Sequence, residues 1–284
     1  MKLFEELTQD EEFKFLVSEG LSGSLNDMVV KYLISQDVDK SSINSMTSKW
    51  KAGVSLSTPL SYTVGGNADS IAASGNTSTT FSSLSIGSEP ASGRKRYVVV
   101  VEGGASAFAD SNISTTSLTI GGITATKALG NLSTSTSFKQ YCGVWYAEVP
   151  TGTVASVSMV AGAARGFGVQ LYSVYMDTDK SLALSDTSVA SGTTTLTTTV
   201  DVPTTNALTV AAAQYRNGED TPSISFGGSL GVTTDYRRDL SSNENFYSGS
   251  ILTTGAATNL TTSISDPVAA GLESVALSCV FSSI

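Results

Sequence analysis

The sequence predicts a mainly β protein: a small N-terminal helical subdomain, residues 1–53, followed by a jelly-roll-like antiparallel β-sandwich, residues 54–284, built from two repeated halves. Three observations carry this. Of the 25 acids and 16 bases in 284 residues, nine and six fall in the first 51. In that charged stretch apolar residues recur at helical spacing, and after it they alternate. The alternating part also repeats itself about one hundred residues on.

In the head, Thr8 with Glu11 reads as a capping box opening a first helix whose Phe13, Leu16 and Val17 share a face. Ser24 with Asp27 opens a second, with Leu25, Met28, Val29, Tyr32 and Leu33 at the spacing of one buried stripe. Gly20 and Gly23 mark the break before it, and a third helix carries Ile43, Met46 and Trp50. The unit recurs: Lys14-Phe15, Lys31-Tyr32 and Lys49-Trp50 return every seventeen or eighteen residues. One helix and a turn cannot bury its own apolar face, so such units stack on one another or on a partner. Phe13, Phe15, Leu16, Leu25, Met28, Tyr32, Leu33, Met46 and Trp50 are the docking candidates.

The run Gly20-Leu-Ser-Gly-Ser-Leu-Asn-Asp-Met28 resembles the short Gly-aromatic-Thr-Gly-Ser-Leu-Asn-Asp-Met helical modules found at the ends of virion proteins of tailed bacteriophages, with Leu21 in place of the aromatic. The likeness covers roughly the first fifty residues. It implies attachment to other virion proteins of a capsid or tail, localisation in the virion, and a homo-oligomer, a trimer among the possibilities.

From Val54 onward, strand-like runs are separated by Ser, Thr and Gly clusters. The runs are 81–86, 96–101, 116–120, 124–128, 141–149, 154–160 and 166–175, then 181–190, 194–202, 207–214, 223–226, 246–253, 259–264 and 273–281. So many strands need two packed sheets or a closed barrel to hide their edges. Ser117-Leu-Thr-Ile-Gly-Gly122 aligns with Ser223-Ile-Ser-Phe-Gly-Gly228 at an offset of 106, and so does the run 168–175 with 274–281. The halves are thus about 54–177 and 178–284. A single sandwich is preferred over two tandem ones, because the bridge from Asp177 to Lys180 is short for a linker. Tyr141-Cys-Gly-Val-Trp-Tyr-Ala-Glu-Val-Pro-Thr-Gly152 with its neighbouring hairpin and strand is similar to β-sandwich proteins of phage genomes.

Net charge is −9, which argues against a nucleic-acid surface, since phosphate neutralisation needs clustered bases. Acids near the start and the lack of a long apolar run predict no signal peptide and no membrane insertion, with synthesis in the host cytoplasm. Cys142 and Cys279 fall in strands and read as buried thiols.

There is no histidine, which removes the Ser-His-Asp triad and the usual zinc ligand. Asp177/Asp179, Glu219/Asp220 and Asp235/Asp239 are carboxylate pairs by proximity, and solvated loop acids explain them better. Asp110 with Asn112 lacks the spacing of a calcium loop, and Gly103-Gly104, Gly121-Gly122 and Gly227-Gly228 lack the flanks of a phosphate loop. Arg94-Lys95-Arg96 and Arg237-Arg238 are the dense basic spots, suited to an acidic neighbour or to solvent. The Asn-x-Ser/Thr triplets at Asn76, Asn112, Asn131 and Asn259 are what a Ser/Thr-rich chain produces by chance.

The expectation is therefore a non-enzymatic structural protein of a tailed-phage particle, without cofactor or metal, displaying its sandwich as decoration, knob or fibre. The alternative is a tail-fibre adhesin that recognises a host-surface glycan, with Tyr215, Tyr236 and Tyr247, and also Tyr146, stacking on sugar.

Overall fold

The computed structural model describes residues 59–106, 113–133, 139–192, 195–203, 206–216, 226–241, 244–264 and 274–284. The chain divides into two compact units, Met1–Ser57 and Thr58–Ile284. The head, with all nine docking candidates, lies outside the described residues.

The body is mainly β and antiparallel. In the first half, β1 (Ser61–Ser85) is followed by β2 (Arg94–Ser106), β3 (Ser117–Ile120), β4 (Ile123–Thr124), β5 (Thr126–Leu132), β6 (Lys139–Glu148) and β7 (Val154–Asp177). The second half holds β8 (Leu182–Gly192), β9 (Leu196–Val202), β10 (Ala207–Arg216), β11 (Phe226–Gly227), β12 (Thr233–Ser241), β13 (Glu244–Thr253), β14 (Ala257–Ile264) and β15 (Ser274–Ser283).

Pairing shows that the halves are equivalent. In the first, β1, β7, β2, β6 and β5 lie side by side in that order. In the second, β8, β15, β10, β13 and β12 do the same. Each half adds a second layer: the start of β7 pairs with β3 and with the end of β1, and β14 pairs with β11 and β9. One difference separates them. In the first half two long strands serve both layers, whereas in the second the corresponding strands are cut into β8 and β9, and β14 and β15. Register shifts at Ile71, Asn76 and Ser78 let β1 change layer, since an extra residue bends a strand.

Each half encloses its own core. Val98, Val100, Trp145, Phe167, Val169 and Leu171 face Phe81, Leu118, Ile120, Val157 and Met159 in the first. Leu196, Val200, Val202, Ala211, Tyr215 and Val280 are among those that fill the second. A further apolar layer joins the two five-stranded sheets, where Val99, Val101, Val144, Tyr172 and Val174 meet Leu208, Val210, Phe246, Leu277, Cys279 and Phe281. These layers are built from three antiparallel sheets of seven, five and three strands within one compact unit, Thr58–Ile284. The bridge from Asp177 to Lys180 can be short because both halves begin at the same end of the body: Thr178 donates to Gly93, and Ser181 exchanges backbone hydrogen bonds with Ile284.

β2 lies against β10, β1 against β12, and β5 against β8. Because β8 and β12 are the counterparts of β1 and β5, the halves meet as the subunits of an isologous dimer meet. Strands buried on both faces lose the alternation of a half-exposed sheet, and β15 is buried at every position from Ser274 to Ser282.

Three sequence expectations change. β1 starts at Ser61, not near Phe81, because its Ser, Thr, Gly and Asn content hides a strand held by pairing with β7. The runs 154–160 and 166–175 are one strand, β7. β12, with Thr, Asp and Arg and no clean alternation, was not foreseen.

Candidate functional site

The residue with the strongest chemistry was not among the sequence candidates. Glu102 of β2 is wholly buried inside the first half, in phase with Val98 and Val100. Its Oε1 accepts from Trp145 Nε1 at 2.7 Å and its Oε2 from Thr115 Oγ1 at 2.7 Å. The facing residues Gly130 and Gly143, direct partners on β5 and β6, leave the room this cluster fills. A Cβ on Gly143 would collide with Glu102 Oε1, and one on Gly130 would stand 2.9 Å from the Tyr141 hydroxyl and 3.0 Å from Lys127 Nζ. Lys127 holds its ammonium 5.3 Å from the Tyr141 ring centre and 5.4 Å from that of Trp145, and donates to Thr115 O at 3.3 Å.

Burial pushes the Glu102 carboxyl above the usual carboxylate range, against the opposing pull of Thr115, Trp145 and Lys127. The same burial raises the Tyr141 hydroxyl. On the matching face of β10 stand Ala207, Thr209, Ala211, Ala213 and Tyr215, with no carboxylate. The fold therefore does not require an acid there. A general base must reach a substrate proton, and Glu102 is sealed with both oxygens engaged. What it does is tie the segment Ile113–Thr116 to the sheet.

A second polar cluster bridges the halves. Asp235 is the extra residue of a bulge between Thr234 and Tyr236, and its Oδ2 accepts from Tyr172 Oη at 3.0 Å and from Ser250 Oγ at 2.5 Å. Burial raises its carboxyl, with the two hydroxyls opposing. Ser250 Oγ lies 3.2 Å from Tyr62 Oη, and Tyr236 Oη 3.5 Å from Asp69 Oδ1.

Of the basic triplet, Arg96 is internal and Arg94 and Lys95 are half-buried, all three engaged with this chain's own groups. Arg96 is wholly buried. Its Nε donates to Val149 O, its Nη1 to Ile86, Gly87 and Ser88 carbonyls, and its Nη2 to Thr151 and Gly152 carbonyls, at 2.8 to 3.3 Å. Arg94 Nη2 donates to Pro59 O at 3.2 Å and to Tyr175 O at 2.7 Å. Lys95 pairs with Glu148 at 3.8 Å. The Arg237 guanidinium lies over the Tyr247 ring, 5.7 Å from its centre.

Of the glycan tyrosines, Tyr215 and Tyr247 are buried, 0% and 1% exposed. They point into the core of the second half, where the alternation of β10 and β13 places them. Tyr236 and Tyr146 are half-buried and packed edge-on against Phe246 and Phe281. The four rings do not form a groove-lining set. Cys142 and Cys279 are free, buried thiols in the shared layer, and burial raises both. Asn131 is engaged, donating to Ala190 O at 2.9 Å and Ala276 O at 3.3 Å across the halves. Gly121 and Gly122 have positive φ, 59° and 83°, in the turn between β3 and β4. Glu219, Asp220, Asp110 and Asn112 lie outside the described residues, and of the Asp235/Asp239 pair only Asp235 has a described side chain. Among the described residues no three His, Cys, Asp or Glu side chains gather as a metal would require.

Loop-tethering arginines and a buried glutamate carry no sequence spacing that could have marked them. The one signal available for Glu102 was an acid inside an otherwise apolar run, Val98 to Ala105. No protein-family model matches the sequence, and no curated protein is significantly similar to it.

Proposed function

We propose that this chain is a non-enzymatic structural protein of a tailed-phage particle, docked on the capsid or tail by its first fifty or so residues and holding its β body outward as decoration, knob or fibre. The observation that carries the reading is where the body receives its chain. Arg94 holds the carbonyl of Pro59 at the end where β1 starts, and Arg96 gathers the neighbouring turns 86–88 and 149–152. The strand that follows the head in sequence is thus anchored to the body at its first residues, as a mounted element needs. The two halves share a core, as a rigid projecting element needs. Among the described residues, the carboxylates with perturbed ionisation, Glu102 and Asp235, bind hydroxyls and an indole of the fold itself.

Mass spectrometry of purified particles carrying Tyr32→Ser with Trp50→Ser tests it. The variant should be made at normal levels, fold its body, and be missing from the particle. Undiminished copy number in the particle overturns docking through the helical face.

A further inference from the structure

The layer between the two five-stranded sheets is apolar over most of its length, yet its composition changes at the end away from Pro59. Gln140 of β6 and Gln214 of β10 both point into it, in phase with Cys142 and Val144 on one strand and with Val210 and Ala212 on the other. Both are 0% exposed. Among the described residues, neither the amide nitrogen nor the amide oxygen of either side chain has a hydrogen-bond partner.

Register brings the two amides to one corner. Gln214 is the direct cross-strand partner of Val275. The Val275 carbonyl in turn lies 4.0 Å from Cys142 Sγ, across the layer. Gln140 is the next residue beyond Cys142 on that face of β6. A buried amide without partners costs free energy that an apolar residue of similar size would not. The usual resolution in protein interiors is ordered water, which makes about three hydrogen bonds to groups otherwise unsatisfied.

We propose that internal water occupies this corner and bridges Gln140 and Gln214, so that the seam between the halves is hydrated at the end away from Pro59. Each amide offers donors and an acceptor and no charge, which suits a neutral hydrogen-bonding guest. The guest has to be small, because Phe246 already fills the space beside Gly103, and a Cβ there would stand 2.7 Å from Gln214 Oε1.

A crystal structure of the full chain at a resolution that shows solvent, with Gln140→Leu, Gln214→Leu and the double variant beside it, is the test. Solvent density should lie within hydrogen-bond distance of both amides, persist beside the remaining amide in each single variant, and vanish in the double. Each single variant should also lower the urea midpoint more than the double does, because the water beside the remaining amide loses one of its own partners. Amides bonded to each other or to backbone with no solvent between them overturn the proposal, as does density too large for water. Should the leucine variants not fold, magnetisation transfer from water to the side-chain amide protons of the unaltered protein decides it: cross-peaks from slowly exchanging water support the site, and their absence rules it out.

Discussion

The ring of Phe246 on β13 stands where a side chain on Gly103 of β2 would have to be: a Cβ built on Gly103 collides with Cδ2 and Cγ of that ring. One half thus supplies the hole and the other the knob, and the missing side chain is what lets the five-stranded sheets close on each other.

Gly103→Ala should therefore destabilise the body by about 1–3 kcal/mol, the usual cost of overpacking a core. Phe246→Leu in the same chain should recover part of the loss. Urea unfolding of the two single variants and the double gives the coupling directly, and additive effects would argue against contact between these positions.

Because Val99, Val101, Val144, Tyr172 and Val174 share one buried layer with Leu208, Val210, Phe246 and Leu277 of the other half, residues 58–284 should unfold in one transition. Residues 58–177 made alone should self-associate through the exposed layer. Calorimetry and size-exclusion chromatography check both, and two well-separated transitions would show that the shared core contributes little.

Arg96 should be the most sensitive single position of the chain-entry end. Methionine there removes a cation bound to six carbonyls, and stability should fall by more than about 3 kcal/mol. Lysine keeps the charge but not the planar fork, so it should restore only part. Thermal melts of the two variants rank them, and equal melting with the unaltered protein would refute the clamp.

Glu102 and Asp235 both have carboxyls raised by burial, so the folded state keeps protons that the unfolded chain has released. Stability contributed this way is complete below the unfolded glutamate value, about 4.3, and is lost as pH rises through the folded value. Glu102→Gln should flatten the decline of melting temperature with rising pH in that window and keep the Thr115 and Trp145 contacts. A slope identical to that of the unaltered protein would mean Glu102 is ionised in the fold.

How much of this could be read beforehand depends on how local the cause is. The charged start, the polar Gly-rich remainder and most strand positions follow from spacing and composition; Arg96–Val101, Thr116–Ile120 and Ala207–Gln214 each fall inside an observed strand or overlap it nearly end to end. The offset of 106 pairs β7 with β15 rightly, yet it lays Val169 and Leu171, inside the first half, over Val275 and Leu277, between the halves. A slip of one residue exchanges the faces of a strand.

By itself, then, the amino-acid order determined a mainly β body, most of the segments that extend and where the charged part ends, because backbone preference and hydrophobic period act over a few residues. Tertiary structure alone decided that a buried layer lies between the two five-stranded sheets, that Tyr215 and Tyr247 are inside, that Arg96 serves carbonyls, and that Glu102 is sealed. When both faces of a sheet are buried, both are apolar, so the period that distinguishes inside from outside is no longer written in the strand.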